Sequence, residues 1–280
     1  MAEGRSSIII SIFSTSSGIG KTITAINLAS CLNLEGYKVC LVDLDLQFGD
    51  IVNYLKLNPK FTIADANSAL KVQKENFDVT DYLTDYHYKG ENGEVTLSVL
   101  APPQKIYDAY LIDVEVVEDL IQQLKYFDFV VLDLSAVFSA LNLAMLDMST
   151  IINFLGVLDF LPSVKNYKVG YDTLIRFEYE ESKIRLVENR ANSQKLIDGR
   201  DVEKLLGEQF FHRLPNDFPS VNKSILGGCP LMFAAPQSPL TKSFINLAGE
   251  YTNKQSTEII PEEVLKQTTG IFSRFFNMFS

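Results

Sequence analysis

Residues 14–22 read STSSGIGKT and lie between an apolar run, SIIISIF (Ser7 to Phe13), and a stretch with helical character (Lys21 to Leu34). A strand feeding a glycine-containing turn that ends in Gly-Lys-Thr at a helix start turns backbone N–H groups and the positive end of the helix dipole toward an anion. Lys21 can then reach the outer phosphates of a nucleotide, and the Thr22 hydroxyl can ligate Mg²⁺. The full pattern has a glycine five residues before Gly20, where this chain has Thr15. The competing reading is a lysine at an ordinary helix N-terminus, where its charge is mildly unfavourable beside the dipole.

The 280 residues suffice for one large α/β domain or two small ones, and a 46% hydrophobic content excludes a disordered chain. A formal charge of −10 argues against a surface broadly attracted to nucleic acid, so DNA is disfavoured as a partner. Cys31, Cys40 and Cys229 are odd in number and widely spaced, which suggests neither a disulfide framework nor a zinc site and fits a reducing, cytoplasmic setting. The first apolar run is too short for a membrane span, so the chain is expected to be soluble or at most peripheral.

Apolar runs recur along the chain: KVCLVDLD (Lys38 to Asp45), VTLSVLAPP (Val95 to Pro103), DFVVLDLS (Asp128 to Ser135), TIINFLGVL (Thr150 to Leu158) and KIRLVENR (Lys183 to Arg190). Segments 113–127, 139–148 and 162–179 between them carry apolar residues at helical spacing. Near-continuous Val/Ile/Leu strands separated by helices predict a doubly wound α/β fold, with a mostly parallel sheet covered by helices on both faces. Phe77 to Glu94 is polar, tyrosine-rich and aperiodic, and is expected to form a helix-turn excursion at the surface. The composition shifts beyond Tyr251, which places a domain over 1–251 and a polar connector with a C-terminal amphipathic helix over 252–280.

In a parallel sheet Asp43, Asp45 and Asp133 reach the same edge as the GIGKT loop. Carboxylates there can hold Mg²⁺ through its waters and orient an attacking water for in-line displacement at a terminal phosphate. Any one of these aspartates alone could simply mark a turn into solvent. His87 and His212 lack metal-ligand neighbours at suitable spacing.

GIGKT, LVDLDLQFGD (Leu41 to Asp50), FTIAD (Phe61 to Asp65), VVLDLS, VENR (Val187 to Arg190) and LPNDF (Leu214 to Phe218) occur in the order seen in MinD/ParA-type ATPases, which the chain resembles from about Ser7 to Tyr251. DLDLQFGD, and NDF followed by PLMFAAPQSPL (Pro230 to Leu240), resemble the CpaE/TadZ pilus-assembly branch most. The resemblance implies a P-loop NTPase of the deviant Walker A type that binds ATP and Mg²⁺. Ser17, Gly18, Ile19, Gly20, Lys21, Thr22 and Ile23 look like its phosphate loop. Lys21 and Asp45, with Asp43 beside it, look like the catalytic groups, and Thr22, Asp133 and Asp45 like the metal-holding set. Asn189 resembles the residue that reads adenine, with Pro215 and Asp217 lining the same pocket; on the residues alone, an ordinary strand-end turn residue is the better reading of Asn189.

The chain departs from the family pattern at three positions. Ser16 stands where active members carry a lysine that reaches a partner's phosphates across an ATP-sandwiched dimer, Ile23 where a second threonine is common, and Ser135 where a proline often follows the Walker B acid. A serine cannot neutralise transition-state charge, so binding is expected to survive better than hydrolysis. CpaE/TadZ proteins often carry a receiver-like domain ahead of the ATPase, and the early first strand leads to the expectation that it is absent here.

Phe272, Phe275, Phe276 and Phe279, with Ile271, fall on or near one helical face, with Arg274 and Asn277 opposite. Two uses are open for such a face: contact with a membrane, as the family placement implies, or docking on protein. The resulting expectation is a cytoplasmic ATP-binding protein, peripheral on the inner face of the cell membrane, that forms an ATP-dependent homodimer and positions pilus or secretion machinery. A non-hydrolysing ATP-binding scaffold and a septum-site or partition ATPase are the alternatives.

Overall fold

A computed structural model of the chain describes residues 7–72, 75–90, 93–193 and 197–252. Strand β1 (Ile8–Phe13) leads through the glycine-containing loop into α1 (Lys21–Leu34). β2 (Val39–Leu44) is followed by α2 (Ile51–Leu55) and α3 (Ile63–Val72), then β3 (Thr84–Gly90), β4 (Gly93–Leu100), α4 (Ile106–Ala109) and α5 (Val114–Gln123). β5 (Phe129–Leu134), α6 (Ala140–Met148), β6 (Ile151–Val157), α7 (Leu161–Arg176), β7 (Ile184–Ala191), α8 (Gly199–Leu206) and β8 (His212–Pro215) continue the alternation. Helices α9 (Phe218–Gly227), α10 (Leu231–Ala234) and α11 (Pro239–Thr252) close the described chain.

The strands form one eight-stranded sheet in the order β3-β4-β2-β5-β1-β6-β7-β8, with every neighbouring pair parallel except β3 and β4. Period-two alternation divides the core between its faces. Ile9, Phe13, Cys40, Val42, Val130 and Leu132 pack with residues of α3, α5, α6, α7 and α8. Ile10, Ile12, Leu41 and Val131 pack with α1, α2, α10 and α11. This is the doubly wound architecture expected from the apolar runs. Among the described residues no helix is long and apolar enough to cross a membrane. The connector and amphipathic helix read over 252–280 lie, beyond Thr252, outside the described residues.

Helix α1 is enclosed from Thr24 to Asn33, all of which are buried between the sheet and α11. Its buried polar side chains are held accordingly: Thr24 Oγ1 donates to Gly20 O at 2.9 Å, Asn27 Nδ2 to Ile23 O at 2.8 Å, and Asn27 Oδ1 accepts from Leu231 N at 2.8 Å.

Phe77 to Glu94 departs from the sequence expectation. After a short 3₁₀ turn at Val79–Tyr82, Thr84–Gly90 forms an edge strand antiparallel to β4. Asp85 and His87 face solvent, while Tyr86 and Tyr88 turn inward, where Tyr88 Oη donates to Asn33 Oδ1 at 2.6 Å and Tyr86 Oη to Gly228 O at 3.1 Å. A half-buried strand whose inner face is tyrosine presents a polar composition, and so conceals its period.

Where the loop leaves β1, Thr15 occupies space beside α7. Its hydroxyl donates to Asn166 O at 2.8 Å, and a Cβ at Gly170 would lie 2.5 Å from Thr15 Cγ2 and 2.6 Å from Phe154 Cζ. Gly170→Ala is therefore expected to cost about 1–3 kcal/mol in urea unfolding with an unchanged m-value. Combining it with Thr15→Gly should shrink that loss without abolishing it, because the Phe154 ring remains in the way.

Candidate functional site

The sheet's parallel register brings two acids together. Asp43 on β2 and Asp133 on β5 are direct partners, and both fall on the α1 face by alternation from Leu41 and Val131. They are 0% and 1% exposed. Asp43 is held from below the β2–α2 loop: its Oδ1 accepts from Asp45 N at 3.2 Å and its Oδ2 from Ile51 N at 3.1 Å. Gly49 is required there, since a Cβ would lie 2.5 Å from Asp43 Oδ1. Asp43 thus shapes the loop that carries Asp45 and does not itself line the cleft.

Asp133 differs, because neither carboxylate oxygen has a hydrogen-bond partner. Burial pushes its carboxyl up to about 7; the adjacent Thr22 hydroxyl and Lys21 ammonium oppose this, and the charges of Asp45 and Asp50 add to it. Burial, and then the charge of Asp133, also drives Asp43 well above the ordinary carboxylate value, against the N–H groups of Ile51 and Asp45. A buried carboxylate beside a helix-start threonine and a lysine is one that a cation would stabilise. Thr22 and Asp133, with Asp45 on the loop above, are therefore a donor set that fits hydrated Mg²⁺.

The loop between β1 and α1 is gripped from the far strand β7. Asn189 Nδ2 donates to Ile19 O and Arg190 Nη2 to Gly18 O, both at 2.6 Å. In a trans peptide the N–H lies opposite the C=O, so the N–H groups of Ile19 and Gly20 point away from β7. Gly20 caps α1 at φ +95°, and a Cβ there would meet Asn189 Nδ2 at 2.6 Å. Both the left-handed backbone and the close approach demand glycine. Gly18, at φ +69°, shares the first requirement.

These elements border a cleft of about 530 Å³. Of the residues singled out from sequence, Ser17, Gly18, Gly20, Lys21, Thr22, Ile23, Asp45, Asn189, Pro215 and Asp217 line it. Ile19 offers its backbone, with its side chain buried, and Asp133 lies beneath the floor. Pro215, Val221, Leu240 and Phe244 give the cleft an apolar portion. Asp217 caps α9, its Oδ1 accepting from Ser220 N at 3.1 Å and its Oδ2 from the Ser238 hydroxyl at 2.5 Å. Asn189, with its amide on Ile19 O and its Oδ1 on Arg190 N at 2.8 Å, is committed to the loop in this state.

Sequence reasoning missed Phe48, Asp50, Phe218 and Arg190 as cleft residues. The first two lie within LVDLDLQFGD and the others within LPNDF and VENR, so the motifs marked the right segments while leaving these side chains unassigned. Ser135 is engaged by buried Asn142, whose Nδ2 donates to Ser135 O and Oγ at 3.0 Å each.

The family model described as the CobQ/CobB/MinD/ParA nucleotide binding domain matches residues 10–228. The structure is similar to a ParA family ATPase from Chlorobium tepidum TLS, at TM-score 0.77 and 24% identity over 88% of this chain and 98% of that one. It is similar to the septum site-determining protein MinD complexed with Mg-ADP from Pyrococcus horikoshii OT3, at TM-score 0.74 and 21% identity over 90% of this chain and 100% of that one. A chain of the MinC:MinD cell division protein complex of Aquifex aeolicus gives TM-score 0.69 and 18% identity over 89% of this chain and 97% of that one. A search of curated proteins finds no match.

A carboxylic acid with a raised native pKa binds its proton more tightly folded than unfolded, so its cost to stability grows from its unfolded pKa up to its native one and is complete above that. Asp133, at about 7, is therefore expected to make the ligand-free protein a few kcal/mol more stable at about pH 5.5 than at about pH 8, with Asp43 adding in the same sense. Melting temperature against pH checks this: Asp133→Asn should flatten the profile, as should saturating Mg²⁺ with nucleotide.

Proposed function

Because the chain belongs to the CobQ/CobB/MinD/ParA nucleotide-binding family, we propose that it binds Mg·ATP in the cleft between the Gly18–Thr22 loop and β8–α9, and acts as a nucleotide-switched positioning factor. The observation that carries this reading is the partnerless, buried Asp133 carboxylate beside Thr22 and Lys21. It is a pre-paid desolvation that a divalent cation bound to phosphate would relieve.

The roles follow from placement. The N–H groups turned away from β7 and the Lys21 ammonium receive phosphate oxygens. Thr22 and Asp133 would hold Mg²⁺. When bound, the ion would supply charge neutralisation on the phosphate oxygens. Asp45, positioned by the N–H contact to Asp43, orients the attacking water. Asn189 exchanges its loop contact for the adenine edge. Slow turnover follows from the uncharged Ser16.

Homodimerisation around the nucleotide is supported by Phe48 and Phe218, 70% and 71% exposed on two walls of the cleft. The order of motifs, DLDLQFGD above all, supports a CpaE/TadZ-like role in placing pilus or secretion machinery at the inner face of the cell membrane, with Phe272, Phe275, Phe276 and Phe279 as the contact. The absence of charge at Ser16 favours a second reading, an ATP-binding scaffold that does not hydrolyse.

Calorimetric titration with Mg·ATP tests the first part. Saturable binding, weakened at least about tenfold by Lys21→Ala, is expected. No binding in the intact protein would sink the nucleotide reading. Phosphate release then decides between the two versions: Asp45→Asn should abolish it with binding retained, whereas none from the intact protein would favour the scaffold.

A further inference from the structure

ATP and Mg²⁺ together leave the cleft holding net negative charge, yet the loop segment from Ser14 to Gly20 carries no cation at all. Lys21 and Arg190 are the two cationic side chains that line the cleft, against Asp45, Asp50 and Asp217. We propose that Arg190 is a second phosphate-binding residue, whose guanidinium binds the polyphosphate of the nucleotide alongside Lys21; this rests on the nucleotide reading above.

Three features of Arg190 support the assignment. Its side chain is 42% exposed although it touches the phosphate loop, so it is neither buried structure nor a free surface arm. One Nη2 hydrogen bond to Gly18 O and a loose pairing of Nη1 with Asp159 Oδ2 at 3.6 Å leave most of the guanidinium's N–H donors uncommitted. Its backbone is also left-handed at φ +54°, as is that of Asn192 at φ +65°, and the N–H of Arg190 is tied to Asn189 Oδ1. This backbone lies where the β7–β8 register is irregular, between Glu188 and Ala191, and the irregularity aims the Arg190 side chain at the loop. The contact with Gly18 O holds the guanidinium against the carbonyl side of the loop at the border of the cleft, with Asp159 beside it, and to meet a phosphate the side chain would release that contact and swing past the loop's rim. The planar fork of arginine suits two phosphate oxygens at once.

The left-handed backbone supplies a clean test, because Arg190→Gly deletes the guanidinium while suiting the conformation. Its melting temperature should equal or exceed that of the wild type, so that loss of binding is not loss of fold. Titrations of ATP, and of adenosine by competition, are run at several salt concentrations. Arg190→Gly should weaken ATP at least about tenfold with a shallower salt dependence, leave adenosine unchanged, and regain most of the salt dependence in Arg190→Lys. An equal loss for ATP and adenosine would reduce Arg190 to a brace of the loop and overturn the proposal. Unchanged ATP binding in Arg190→Gly would overturn it alone, whereas absence of ATP binding in the wild type would remove the nucleotide reading and the proposal together.

Discussion

The enclosure of α1 governs the molecule. A helix buried on every side can lie only between two apolar layers, and here the sheet supplies one and α11 the other. Its N-terminus is thereby fixed at the carboxyl edge of the central strands, and the helix dipole is delivered to one place. Asp43 and Asp133 arrive on the same face through strand alternation. Two buried acids whose charged forms are disfavoured by burial and by each other thus lie at the positive end of a helix. The balance is incomplete, as the partnerless oxygens of Asp133 show.

The loop is held from outside as well as from within. Its carbonyls at Gly18 and Ile19 are taken by Arg190 and Asn189 of β7, while Thr15 is taken by Asn166 of α7. These contacts make the phosphate loop a meeting point of segments remote in the chain. The shape of the loop and the positions of β7 and α7 therefore belong to a single arrangement. Asn189 embodies this, since its amide cannot both brace Ile19 and turn fully to a ligand.

Much of this was legible in the sequence. Five of the apolar runs after β1 became β2, β4, β5, β6 and β7 because buried parallel strands must be apolar on both faces. The placement of Lys21, Thr22 and Asp45 followed from the rule that such sheets bind ligands beyond their carboxyl ends. Strand β3 was hidden because its inward residues are tyrosines that satisfy their hydroxyls inside the core. β8 is only four residues long, too short for any period to register. The hold of Asn189 and Arg190 on the loop could not be read, because it depends on β6 lying between β1 and β7, which local pattern does not encode. The burial of Asp43 beneath its own loop escaped for a similar reason: a strand-end acid reads the same whether it faces a ligand or caps the next helix.

The contact between Thr15 and Gly170 changes what the missing glycine of the motif means. At that point of the loop a side chain is accommodated because the position facing it on α7 is a glycine. Here the small residue, Gly170, lies across the gap on a helix, and the Thr15 hydroxyl fastens the loop there. A pattern written along one stretch of chain registers this as a defect. Written across the gap, as a pair whose combined volume is limited, it is the same rule satisfied from the other side.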